Sequence, residues 1–327
     1  MNLHENPTLF RQSVEFTAQK LSILPIYVEK DYWVTYALHL IFHNEIGTET
    51  VFKGGTALSK CFRIIERFSE DIDLVVLRKE VESGNQLKNK LKKITQVVSG
   101  KLAEVDIAGI TNKLGMIRKI AYNYKKEFTG EFGQVRDVII VEATWLGRYE
   151  PFHKQEIGSY IYEMMREANQ LELAKEYDML PFEVQVLNVN RTICEKIMSL
   201  VRFSYGEDPI DDLKKKIRHT YDIHQLLQVQ EIKEFFNSLE FEQMLALVAQ
   251  DDMESFKTNN EWLANHPKDA MLFSDTEKIW NEIKNTYIND FGNIVHGELP
   301  EEKDVLTSLK LVSERLQDIT WSIDSNR

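Results

Sequence analysis

A glycine pair followed, one helix later, by two aspartates on an apolar run constrains this chain's fold more than any other feature. The segment reads GGTALSKCFRIIERFSEDIDL from Gly54 to Leu74. Thr50-Val51-Phe52 ahead of it predicts a short strand, Gly54-Gly55-Thr56 a tight turn and Ala57 to Ile65 a helix. Asp71 to Leu77, β-branched and prefaced by turn-forming residues, predicts a second strand. Two glycines between strand and helix let the backbone approach a phosphate, and the free amides of the helix start favour its charge. Thr56 adds a hydroxyl donor. On a strand, residues two apart share a face, so Asp71 and Asp73 aim both carboxylates at one point while Ile72 and Leu74 face the core. Hard cations take oxygen ligands, and magnesium typically combines one or two carboxylates with phosphates and water. The segment therefore predicts a Mg²⁺ site, with Mn²⁺ as its substitute, next to a turn that receives the phosphates of an NTP.

The rest of the chain divides in two. Ile26 to Phe42 has the length and pattern of a largely buried helix, with Pro25 in its first turn. Gln86 to Lys101 predicts a helix, and Met116 to Tyr124 and Asp137 to Thr144 predict strands, the latter central because VIIV is unbroken in apolar residues. Phe182 to Val189 alternates like one more strand, and Thr192-x-x-Glu195 matches a capping box. Beyond it, Arg191 to Phe203, Leu213 to Val229, Glu231 to Ala249, Thr276 to Asp290 and Lys303 to Asp318 have helical apolar spacing and no internal proline. The expected architecture is an α/β domain over 1–190, built on a small mixed sheet flanked by helices, followed by a helical domain over 191–327.

A chain of 327 residues is long enough for two domains. Its net charge of −12 disfavours indiscriminate nucleic-acid binding. A local basic patch remains available from Lys88, Lys90, Lys92 and Lys93, from Arg118, Lys119, Lys125 and Lys126, or from Lys214, Lys215, Lys216 and Arg218, although each cluster taken singly reads first as a solvated face. No apolar run approaches the roughly 18 residues of a membrane span, and the N-terminus lacks a leader pattern, so a cytoplasmic protein is expected. Cys61 and Cys194, each in an apolar helical stretch, are expected to be buried free thiols.

A glycine pair, an intervening helix and then Ser69-x-Asp71-x-Asp73 resembles the polymerase-beta-like nucleotidyltransferase superfamily. Within it, Val28 to Val34, Phe52 to Leu58 and Arg67 to Leu74 resemble the AbiEii/AbiGii toxin family, as do Thr192-x-x-Glu195-Lys196 and Arg218-His219-x-Tyr221-Asp222. The resemblance spans roughly residues 26 to 228; the fifteen residues between Gly55 and Asp71 make a loop somewhat long for the superfamily. It implies a nucleotidyltransferase acting as the toxin of a toxin-antitoxin or abortive-infection pair, with a separately encoded antitoxin. It also implies that Lys196 binds nucleotide phosphates, supplying the charge neutralisation phosphoryl transfer needs, where the plainer reading is a snorkelling lysine bordering the stripe Ile193, Ile197, Leu200 and Val201; and it puts Asp222 at the site, where it would orient Lys196 across two helices.

The other candidates each have a plainer reading. Glu142 interrupts the apolar VIIVEATW and is the expected third carboxylate, which holds metal or helps activate the nucleophile; the plainer reading is an edge glutamate facing water, and Asp137 is the substitute. Lys53 either touches phosphate or covers the strand end, and Ser69 joins the nucleotide-binding set with Gly54, Gly55 and Thr56. A capping role suffices for Glu195, an Arg218 to Asp222 helix-surface pair is the plain alternative for Asp222, and His219 reads as structural. Glu29 to Trp33 read as helix packing, with nucleobase docking the alternative. The predicted reaction transfers a nucleotide from an NTP to an RNA 3′ end, including tRNA, or to a protein hydroxyl, with pyrophosphate released. A non-catalytic nucleotide- or partner-binding module and a metal-dependent phosphodiesterase are the competing readings.

Overall fold

The computed structural model describes residues 1–69, 71–130, 136–255 and 260–322; Glu70, part of the Arg67 to Leu74 motif, lies outside them. The chain forms two compact units. The first holds residues 1–63, 68–145 and 152–187, and the second holds 64–67, 146–151 and 188–327.

The first unit opens with α1 (Pro7–Leu21), whose start is fixed by Pro7 in the first turn and by Asn6, which accepts from the Leu9 amide. Then come α2 (Pro25–Phe42), β1 (Thr50–Lys53), α3 (Gly54–Lys60), β2 (Asp71–Val76), α4 (Gly84–Ser99), β3 (Ala103–Val105), β4 (Ile117–Asn123), β5 (Ile139–Thr144), β6 (Phe152–Ile157), α5 (Tyr160–Glu167), α6 (Leu171–Glu176) and β7 (Phe182–Leu187). The strands make one mixed seven-stranded sheet in the order β3-β4-β5-β2-β1-β7-β6. β2 pairs antiparallel with β1 and parallel with β5, so the aspartate strand has a neighbour on both sides. As the unbroken VIIV predicts, β5 lies inside the sheet, with Ile139, Ile140, Val141 and Ala143 fully buried.

Two details depart from expectation. The helix after β1 begins on the glycines themselves and stops at Lys60, five residues short of Ile65. The sheet also gains β3 and β6, both at its edges. Along β6, His153, Lys154 and Glu156 are exposed, the charged composition that protects an edge strand from further pairing.

α2 is buried on nearly every side from Ile26 to Leu38, and its charges are satisfied inside. Glu29 accepts the amides of Glu127 and Phe128, and Asp31 accepts from Lys60 Nζ at 2.6 Å and the Tyr160 amide at 2.8 Å. Trp33 stacks on Tyr124, and Tyr32 packs on Phe10. Every charge in the run thus has the partner that burial requires, and the segment is helix packing. α4 carries the Ser83 and Gln86 capping box, buries Leu87, Leu91, Ile94 and Val98, and turns Lys88, Lys92 and Lys93 to solvent.

The second unit is helical: α7 (Val189–Phe203), α8 (Pro209–Lys215), α9 (Arg218–Gln228), α10 (Gln230–Phe236), α11 (Leu239–Ser255), α12 (Met271–Ser274), α13 (Thr276–Asn285) and α14 (Glu302–Gln317). Two predicted helices are each divided. Leu213 to Val229 breaks at Lys216 and Ile217, whose amides bond three residues back, to Leu213 and Lys214, in a tightened turn. Glu231 to Ala249 breaks at Asn237 and Ser238, where the Ser238 hydroxyl accepts the Glu240 amide. The Thr192 to Glu195 capping box is not used: α7 starts earlier, capped by Asn188, and Glu195 pairs with Arg191 one turn back. Cys61 and Cys194 are buried and free. Among the described residues, no helix is long and apolar enough to cross a membrane.

Candidate active site

Strand register assembles the site. Lys53 on β1 lies opposite Asp73 on β2, Asp73 lies opposite Glu142 on β5, and Glu142 lies opposite Lys119 on β4. Residues directly opposed on neighbouring strands share a sheet face, so Lys53, Asp73, Glu142 and Lys119 form one row across four strands, with Asp71 two residues from Asp73 on the same face. Ile72 and Leu74 are fully buried, and the two aspartates are half-buried.

This arrangement concentrates negative charge. Burial, reinforced by the carboxylates of Glu142 and Asp71, pushes the Asp73 carboxyl up to about 7. Lys53 and Lys119 pull the other way without cancelling the effect. Lys119 Nζ donates to Glu142 Oε2 at 2.7 Å and lies 3.6 Å from Asp71 Oδ2. Arg136 approaches Asp71 Oδ1 to 3.6 Å, yet that oxygen is buried and has no hydrogen-bond partner among the described residues.

The turn beside the row is shaped around Asp73. Gly54 has φ +80°, a left-handed conformation that side chains disfavour. A Cβ there would collide with Asp73 Oδ2 and come within 3.0 Å of its Cγ. Gly54 is thus required by the carboxylate as much as by the turn. Thr56 is 2 % exposed; its hydroxyl donates to the Asp71 carbonyl at 2.7 Å and lies 3.0 Å from Ser69 Oγ, whose own hydroxyl can donate to it. The Thr56 hydroxyl ties α3 to the aspartate strand, so what remains for an incoming phosphate is the backbone of the turn. Gly55 is the second residue of α3.

We expect Gly54→Ala to cost about 1–3 kcal/mol in stability through the strained backbone and to push Asp73 out of the row. Melting curves and a Mn²⁺ titration check this; an unchanged Mn²⁺ affinity in a folded variant would show that Gly54 serves the turn alone.

The residues fit a hard divalent cation. A carboxylate oxygen without a hydrogen-bond partner among the described residues, a second carboxyl raised by burial and by its like-charged neighbours, and a third opposite it in register supply the oxygen donors such an ion takes. Among the described residues no three acidic, histidine or cysteine side chains are gathered as ligands; the Lys119 ammonium lies against both Asp71 and Glu142. Sequence reasoning placed Lys119 in a basic cluster and missed it here. The alternation of β4 was the available signal, since Arg118 must then face away, where its Nε donates to Thr95. Asp137, the substitute third carboxylate, precedes β5 and pairs with Lys126.

Lys196 and Asp222 belong to the second unit, where they meet. Lys196 Nζ, on α7, donates to Asp222 Oδ2, on α9, at 2.6 Å. Asp222 is held more firmly by Arg67, which donates from Nε to Oδ1 at 2.6 Å and from its terminal nitrogen to Oδ2 at 2.7 Å. All three are almost completely buried. Burial alone would raise the Asp222 carboxyl, but Arg67 and Lys196 hold it well below the usual range. Burial lowers the Lys196 ammonium, a shift that Asp222 opposes and Arg67 reinforces. The partner of Asp222 is therefore Arg67, from a motif 155 residues earlier, rather than the neighbouring Arg218. His219 Nδ1 is buried, without a partner among the described residues, and its imidazole is lowered by burial and by Lys196, so it stays neutral.

Residues 38–305 match the family model described as "Nucleotidyl transferase AbiEii toxin, Type IV TA system". Among solved structures, the chain is similar to MenT4, a nucleotidyltransferase toxin of Mycobacterium tuberculosis H37Rv, at 15 % identity and a TM-score of 0.50, over 94 % of this chain and 90 % of that one. At that identity the likeness is one of fold. No curated protein matches the sequence.

Proposed function

Because the chain belongs to the AbiEii nucleotidyl transferase toxin family, we propose that it transfers a nucleotide from an NTP to an acceptor hydroxyl on its acidic row. The observation that carries the reading is that Asp71, Asp73 and Glu142 share one sheet face on two adjacent strands, with Asp73 opposite Glu142 in register, beside the Gly54 turn. Asp71, Asp73 and Glu142 would hold Mg²⁺. When bound, the ion supplies charge neutralisation to the triphosphate and to the leaving group.

Gly54 and Gly55 admit the outer phosphates to the backbone, while Lys53, beside Asp73, lends its charge to them. Ser69 and Thr56 fix the strand end from which Asp71 projects. The acceptor oxygen forms a bond to the alpha phosphorus as the bond from that phosphorus to the bridging oxygen breaks. Pyrophosphate leaves with the electron pair, and the hydroxyl proton passes to Glu142. Lys196 enters as a cation needed for turnover, with Asp222 as the residue that fixes its ammonium; the family resemblance supports this assignment, and kinetics test it. The acceptor is an RNA 3′ end, including tRNA, or a protein hydroxyl, and a separately encoded antitoxin is the regulatory partner.

Pyrophosphate release and label transfer from each NTP, with total RNA or cell protein as acceptor, test the proposal. Mg²⁺-dependent labelling of one acceptor pool, absent in Asp73→Asn, is expected. RNA cleavage without any need for NTP would replace transfer with phosphodiester hydrolysis, and NTP binding without turnover on either pool would make the chain a binding module.

A further inference from the structure

We infer that Lys119 is a built-in counter-cation of the acidic row, which a divalent ion must displace before Asp71 and Glu142 can both hold it. The inference rests on the metal-site reading above and concerns how that site is set. β4 presents Lys119 directly opposite Glu142, and the ammonium reaches carboxylates on two different strands, 2.7 Å from Glu142 Oε2 and 3.6 Å from Asp71 Oδ2. Its side chain is 25 % exposed, against 69 % for Lys125 just beyond the strand. Arg136 approaches the other oxygen of Asp71, and Lys119 bridges two members of the row.

Three carboxylates on one sheet face repel one another unless something positive lies among them. Without a metal, Lys119 does this from within the fold. An ammonium on a flexible four-carbon stem can leave without moving the strand that carries it. Metal binding then becomes the exchange of one cation for another, and affinity is set by how firmly Glu142 and Asp71 retain the lysine. Glu142 retains it through the 2.7 Å hydrogen bond from the ammonium to Oε2, with Asp71 Oδ2 3.6 Å away on the neighbouring strand.

Mn²⁺ titration followed by electron paramagnetic resonance, without nucleotide, tests the exchange on the full chain and on Lys119→Met, Lys119→Gln and Lys119→Arg. Removing a unit positive charge within about 4 Å of the ion should tighten Mn²⁺ about tenfold in both Lys119→Met and Lys119→Gln. Lys119→Arg keeps the charge and should stay within about threefold of wild type. Melting in EDTA should fall in the two neutral variants, and Mg²⁺ should raise it by more than it does in wild type. Lys119→Gln retains a donor for Glu142 and keeps the test open if Lys119→Met fails to fold. Wild-type affinity in the neutral variants, with only their EDTA melting lowered, would make Lys119 a structural ion pair and overturn the inference while leaving the metal site standing. Mn²⁺ binding by none of the four proteins would remove the metal-site reading itself, and this inference with it.

Discussion

Asp71→Asn and Asp73→Asn are each expected to lower nucleotide transfer by at least about 10²–10³-fold, the loss seen when one preorganised electrostatic group is removed from a site, with the fold intact. The two should part company in stability. Asp73 is pushed up to about 7 by burial and by its like-charged neighbours. The unfolded chain therefore carries that charge more easily than the folded one, a penalty that begins above pH 4 and grows until about pH 7. Asparagine removes it. In EDTA at pH 7 or above, Asp73→Asn should be more stable than wild type by about 2–4 kcal/mol, and the gain should vanish as pH falls to 4. Such a gain in stability at the expense of activity is the mark of a residue kept for function. Steady-state transfer assays with melting curves across that pH range decide it. Near wild-type transfer by both variants would remove the aspartates from the chemistry, and a destabilised Asp73→Asn in EDTA would show that the carboxylates do not strain one another.

The ion network of the second unit should separate folding from turnover. Asp222 faces two buried cations, Arg67 and Lys196. Asp222→Ala strands both and should cost about 3–5 kcal/mol, as breaking a buried pair does. Lys196→Ala leaves the two-pronged Arg67 to Asp222 pair whole and neutral, so the fold should survive with little loss. Its effect should fall on kcat instead, at about 2–4 kcal/mol if the ammonium offsets charge that grows in the transition state. Arginine there should restore only part, because its planar fork places charge differently from a compact ammonium. Chemical denaturation of both variants, with kinetics of Lys196→Ala at saturating NTP and Mg²⁺, provides the check. A kcat within about twofold of wild type would leave Lys196 a purely structural lysine, and equal destabilisation by the two variants would contradict the charge balance of the triad. Because the Asp222 carboxyl is held low, its contribution to stability is present at neutral pH and is lost only as acid protonates it, at the low end of the pH range.

Local sequence determined the parts of this protein whose causes are local. A glycine pair between a β-branched run and a helix, and aspartates two apart on the next β-branched run, specify their own conformations and faces through backbone sterics and the two-residue period of a strand. α2, β1, β2, β4, β5 and β7 were legible for the same reason, as were the buried cysteines. β3 and β6 were not, since an edge strand is made by its neighbour's hydrogen bonds and carries no apolar alternation of its own. The helix breaks at Lys216 and Ser238 leave the apolar period unbroken, which hid them from a reading based on that period. At the site, sequence named Asp71, Asp73 and Glu142, but only the sheet's register put Lys53 and Lys119 at the two ends of their row. Likewise the Lys196 to Asp222 contact was expected across two helices, whereas Arg67 as their third member required two segments 155 residues apart to pack together. Spacing along the chain fixes which face a side chain takes. Which charge it meets there is decided by strand order and packing, where burial makes an unpaired charge too costly to leave alone.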